Sequence, residues 1–126
     1  MKNALTILAG LSLASAIPAT AWAHGGSHAL HGGIVQMNGE TMFELVRAPA
    51  GVSLYVLEED EPVNAKAMTA KLSVNVAGRR QDVTMVSGSG NQFFANGLKL
   101  AKGAKVGVMV VNNATQSRFG ANFVIK

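Results

Sequence analysis

From Ile34 to the end of the chain, apolar and polar residues alternate in short runs broken by turn-forming residues. The clearest run is Met68-Thr69-Ala70-Lys71-Leu72-Ser73-Val74-Asn75-Val76, where every second side chain is apolar. A period of two is the signature of a strand with one face against a core. The same reading predicts strands over 34–37, 40–46, 52–57, 68–76, 82–86, 91–95, 105–111 and 118–125. Turn signals separate them at Asn38-Gly39, Pro49 to Gly51, Glu58 to Pro62, Gly78-Arg79, Ser87 to Gly90 and Asn112 to Thr115. No stretch carries the 3.6-residue periodicity of an amphipathic helix. About eight short strands at close spacing predict an all-β domain over 34–126, an antiparallel β-sandwich of immunoglobulin-like kind.

The first two strands are predicted to form a hairpin. Asn-Gly between apolar-rich runs satisfies the positive φ that both central positions of a tight turn require. A two-residue turn at Asn38-Gly39 would pair Met37 with Glu40, Val35 with Met42, Gly33 with Glu44 and His31 with Val46. His31, Met42 and Glu44 then share one side of the ribbon.

The residues before Ile34 do not belong to this pattern. Residues 1–23 read as a secretory signal: Lys2, an apolar run from Ala4 to Ala16, and an Ala21-Trp22-Ala23 cleavage site. The run is shorter than the roughly 17 to 25 residues needed to span a bilayer, so no membrane insertion is expected after cleavage. Residues 24–33 follow as a histidine- and glycine-rich segment with two Gly-Gly pairs, and glycine disfavours regular structure. A flexible N-terminal arm is the expectation.

That arm holds all three histidines of the chain, His24, His28 and His31. Cleavage after Ala23 would leave His24 first, with its α-amine and imidazole forming a bidentate chelate. The reference pKa values, about 7.7 to 8 for an amine and about 6.5 for an imidazole, let both nitrogens exchange a proton for a metal near neutrality. Glu44 and Met42 are the further candidate ligands, a carboxylate and a thioether carried by the adjoining hairpin. Nitrogen donors rank Cu(II) first by affinity, with nickel and zinc behind, whereas a thioether suits cuprous or silver ions.

Composition narrows the alternatives. With no cysteine there is no disulfide framework, thiolate zinc site or thiol nucleophile. Without Lys2 the mature chain carries ten basic residues against seven acidic, scattered and not interleaved with aromatics, so no nucleic-acid partner is expected. Glu58-Glu59-Asp60-Glu61 lacks the spaced ligands of a calcium loop and reads as a solvated turn. Met68, Met85 and Met109 fall at alternating strand positions and are expected in the core. An N-terminal histidine brace is also the device of copper monooxygenases, but these need a second rigid histidine and a flat substrate surface, so no enzyme activity is expected.

Taken together, the leader ending in Ala21-Trp22-Ala23, the His-Gly-Gly arm, His31-Gly32-Gly33-Ile34-Val35, Phe43-Glu44-Leu45-Val46, Tyr55-Val56, the acidic turn and Pro62-Val63 resemble a group of small periplasmic proteins of proteobacteria. They are also similar to the His-Gly-Gly segment in adaptor subunits of heavy-metal efflux pumps of the resistance-nodulation-division type. The resemblance implies a periplasmic role in handling copper, silver, zinc, cobalt or nickel, with an efflux-pump component as a possible partner. It places the metal on His31 and Glu44. The competing expectation is a non-catalytic interaction or structural module with an incidental histidine arm.

Overall fold

The computed structural model describes residues 28–126, and these fold as two antiparallel sheets packed face to face. The strands are β1 (Ile34–Asn38), β2 (Thr41–Ala48), β3 (Gly51–Glu58), β4 (Glu61–Pro62), β5 (Met68–Val76), β6 (Arg79–Thr84), β7 (Val86–Ser87), β8 (Gln92–Asn96), β9 (Lys105–Asn112) and β10 (Arg118–Val124), with a short 3-10 turn at Ala65–Ala67. The expected antiparallel sandwich is therefore present. Ten strands replace eight because the acidic turn carries the two-residue β4, and the segment read as 82–86 divides into β6 and β7. No helix among the described residues is long and apolar enough to cross a membrane.

One sheet runs β1-β2-β3-β8-β7, with β4 also pairing to β3, and the other runs β10-β9-β5-β6. With β1 set aside, these are the orders A-B-E-D and G-F-C-C′ of an immunoglobulin-type sandwich. Strand β1 is an addition that extends the first sheet beyond its A-type edge. The core lies between the sheets, where Phe43, Leu45, Val52, Leu54, Val56 and Phe93 meet Leu72, Val106, Val108, Val110 and Phe123, all nearly devoid of solvent contact. Met68 and Met85 join it as expected. Met109 does not: β9 turns Val106, Val108 and Val110 inward, so the alternation points Met109 outward and leaves it 44% exposed.

Two turns differ from expectation. Asn38 continues β1, its side-chain amide donating to the Gly120 carbonyl at 2.7 Å, and the turn is Gly39-Glu40. Gly39 has φ of 60° while Glu40 keeps a negative φ, the arrangement in which glycine takes the first central position. Val35 thus pairs with Glu44 and Met37 with Met42. This is a slip of two residues from the expected register, so every side chain keeps its face. Further along, Ala77-Gly78 rather than Gly78-Arg79 turns β5 into β6, both residues at positive φ.

Candidate functional site

Strand β2 is buried on both faces. Phe43 and Leu45 point into the core, so Met42 and Glu44 occupy the opposite, outward face of the first sheet, yet neither is solvent-exposed. A carboxylate in such a place costs several kcal/mol unless donors surround it. The donors come from the chain just ahead of β1. Glu44 Oε1 accepts from the Leu30 N–H at 3.0 Å and from the His31 N–H at 3.1 Å, and Oε2 accepts from the His31 N–H at 2.8 Å and the Gly33 N–H at 2.9 Å. His31 Nδ1 lies 2.9 Å from Oε1. Glu44 has no exposed surface.

The two glycines of the His31-Gly32-Gly33 sequence make this wrapping possible for different reasons. Gly32 sits at φ of 72°, a left-handed conformation that turns successive N–H groups toward one anion. Gly33 lies flat on β2: a Cβ there would fall 2.5 Å from the Leu45 carbonyl and 2.8 Å from Val46 Cγ2. Residues 30–33, expected to be part of a flexible arm, are therefore bound to the sheet through a buried charge.

Burial pushes the Glu44 carboxyl upward, but the hydrogen bond from the His31 side chain and those from the Gly33, His31 and Leu30 backbone outweigh it. Its pKa is held below the ordinary glutamate value. Glu44 is accordingly an ionised acceptor. A carboxylate has no proton to give, so Nδ1 of His31 is the donor, and Nε2 is the ring nitrogen that this bond leaves for a metal.

Tyr55 completes the arrangement. It stands opposite Glu44 on β3, and the His31 ring stacks on it with centroids 3.6 Å apart and planes 6° from parallel. The imidazole is thus fixed in rotation by the carboxylate and in height by the phenol ring, while its side chain stays 40% exposed. Sequence reasoning did not select Tyr55. A signal existed, because a tight turn after Ala48 places residues 44 and 55 side by side on one face.

The other expected ligands are distributed as follows. His28 is exposed, three residues ahead of His31. His24 lies outside the described residues. Met42 is on the same face of β2 as Glu44, two residues away, and is paired across the ladder with Met37. Both Glu44 oxygens accept hydrogen bonds from residues 30–33, so the carboxylate orients the imidazole. Among the described residues, no three His, Asp or Glu side chains converge as a metal-holding group.

Chemically, one imidazole nitrogen held by a buried carboxylate with the other left to solvent is the geometry that prepares histidine to ligate a metal, since the carboxylate fixes the tautomer and raises the basicity of the donor. A single such nitrogen is one ligand of the three or four a transition metal needs. Comparison with family models, with curated proteins and with solved structures finds no match to this chain.

Proposed function

We propose that this chain is an exported, periplasmic metal-binding protein that buffers or delivers a transition-metal ion, copper foremost, in heavy-metal resistance or efflux. The observation that carries the reading is the Glu44-His31 pair: a carboxylate-locked, ring-stacked imidazole whose Nε2 lone pair is not used by the fold. His31 is the fixed ligand. His28 and, after signal cleavage, the His24 imidazole and α-amine supply the remaining donors from the segment that leads into it. Glu44 positions His31, and Met42, two residues from Glu44 on the same face of β2, is the soft donor that a cuprous or silver ion would take. The reading as a partner of an efflux-pump component rests on the resemblance of the His-Gly-Gly sequence.

One observation favours a second reading. The loop satisfies Glu44 completely without any ion, so His31-Gly32-Gly33 can serve as a clasp that closes one face of a non-catalytic interaction module.

A competition titration with Cu(II) from pH 8 to pH 5 separates the two. It is made on the mature protein, on His31→Ala, and on a His28→Ala, His31→Ala double variant. The metal reading expects tight binding at pH 8 that weakens steeply as protons compete for amine and imidazole nitrogens, and at least about a tenfold loss in His31→Ala. Equal binding by parent and double variant would leave only the clasp.

A further inference from the structure

The outward face of the second sheet carries a feature unrelated to the histidine pair. Register and alternation place its side chains in rows that cross the strands. One row is Asn122, Gly107, Ser73 and Asp82. The row on one side is Gly120, Met109, Lys71 and Thr84, and the row on the other is Val124, Lys105, Asn75 and Arg80. The central row is short: Gly107 has no side chain, and a Cβ there would meet nothing nearer than Asn122 Oδ1 at 3.5 Å and Ser73 Cβ at 3.7 Å. A glycine in mid-strand between long neighbours leaves a valley, and a hollow of about 500 Å³ lies there, its lining including Lys71, Ser73, Arg80, Asp82, Gly107 and Met109. A second hollow shares its floor and reaches Lys105, and a third lies beyond the Met109-Lys71 row beside Arg118.

The charge along this valley is one-sided. Lys71 and Lys105 stand in the flanking rows and Arg118 one row beyond Met109, whereas Arg80 and Asp82, the one carboxylate in these rows, pair with each other at 2.9 Å and cancel. The cations do not converge on one point. Rows two residues apart along a strand are separated by ~7 Å, so Lys71 and Lys105, on opposite walls, have Cα atoms ~14 Å apart. A small anion can meet one of them, whereas an extended chain with carboxylates at intervals can meet several. The floor suits the same ligand: Asn122 offers a polar side chain, Ser73 is held by a hydrogen bond to Asp82, and the exposed Met109 offers an apolar contact.

We propose that this trough is a docking site for an extended acidic peptide segment of a partner protein, laid across β6, β5, β9 and β10. It is on the face of the sandwich opposite the Glu44-His31 pair, so a protein holding a metal on one sheet can be held by a partner through the other. The proposal does not depend on metal binding.

The test uses the mature protein, ¹⁵N-labelled, titrated with a capped octaglutamate peptide at low salt. The expected result is amide shifts at Ser73, Gly107, Met109 and Asn122 with His31 and Tyr55 unmoved, and weakening as salt is raised. A Lys71→Glu, Lys105→Glu variant should bind about tenfold or more weakly. A Lys99→Glu, Lys102→Glu variant, which changes the net charge equally on exposed positions outside the trough, should bind as the parent does. Thermal midpoints of both variants check that they fold. Equal loss in the two variants would reduce the effect to net charge, and displacement by equimolar inorganic phosphate would reassign the site to small anions. Either result, or shifts centred away from the valley, overturns the proposal.

Discussion

His31 reaches Glu44 twice, through its backbone N–H at 2.8 Å and through Nδ1 at 2.9 Å, so one residue both donates to a buried carboxylate and is oriented by it. The pair belongs to folding and to chemistry at once. Removing the carboxylate leaves the loop without its anchor, and removing the imidazole leaves a buried charge with only backbone donors.

Glu44→Gln should cost about 2 to 4 kcal/mol of apo stability, because charge-assisted bonds are lost and an amide NH₂ is turned toward backbone N–H groups. Chemical denaturation of parent and variant measures this. It should also weaken Cu(II) binding while leaving His31 in place, since the ring loses its fixed tautomer. A variant as stable as the parent would show that the loop does not depend on the charge.

The pH dependence follows in sign from the same carboxylate. Its pKa is lower in the folded protein than in the unfolded chain, so between the two values the unfolded state binds more protons and stability rises with pH. The contribution is fully present above the unfolded value of about 4.3 and is lost as pH falls through the folded value. Denaturant midpoints from pH 7 to pH 3 should therefore fall more steeply below about pH 4.5 in the parent than in Glu44→Gln. Parallel curves would place the acid sensitivity elsewhere.

Much of this was legible in the sequence, and the gaps have identifiable causes. Alternation located the strands because the domain is a sandwich with one face of most strands buried. Asn38-Gly39 announced the β1-β2 hairpin, but Asn38 found a partner in Gly120, 82 residues away, and that tertiary bond moved the turn one residue on. Because the resulting slip in pairing is two residues, the face shared by Met42 and Glu44 survived it. The hairpin register puts Glu44 on the face of His31, and the two side chains do meet. The burial of Glu44 depends on a loop folding back over the sheet, and alternation says nothing about what covers a face. Gly33 looked like flexibility, whereas its role is close contact.

Two substitutions separate the glycine roles. Gly32→Ala places a Cβ on a backbone at φ of 72° with open space around it, and should cost about 1 kcal/mol from conformational strain alone. Gly33→Ala drives a Cβ into the Leu45 carbonyl, which the sheet backbone cannot yield, so the loop must lift from Glu44. The cost should approach the about 2 to 4 kcal/mol of removing the anchor, with loss of the His31-Tyr55 ring contact. Ring-current shifts in the Tyr55 spectrum report the second effect directly. Equal costs for the two variants would contradict the packing role assigned to Gly33.

Truncation tests whether the segment ahead of the clasp serves binding alone. Removing residues 24–29 from the mature protein leaves the Leu30, His31 and Gly33 donors in place, so the apo thermal midpoint should stay within a few degrees of the parent. Leu30→Pro in the chain that begins at His24 removes the Leu30 N–H donor to Oε1 and should cost about 1 kcal/mol. His31→Ala should cost about 1 to 3 kcal/mol, because it removes the Nδ1 bond and the stack on Tyr55 while keeping the backbone donors. Metal binding should order differently: deletion of 24–29 removes His24, His28 and the amine chelate and should abolish most Cu(II) affinity while leaving stability intact. One extra residue ahead of His24 should weaken the complex in the same way, by removing the α-amine from the chelate. Calorimetry and Cu(II) competition on the same four proteins give the two orders side by side. If stability and affinity fall together across the series, the histidines ahead of the clasp pack as structure and the binding role proposed for them is wrong.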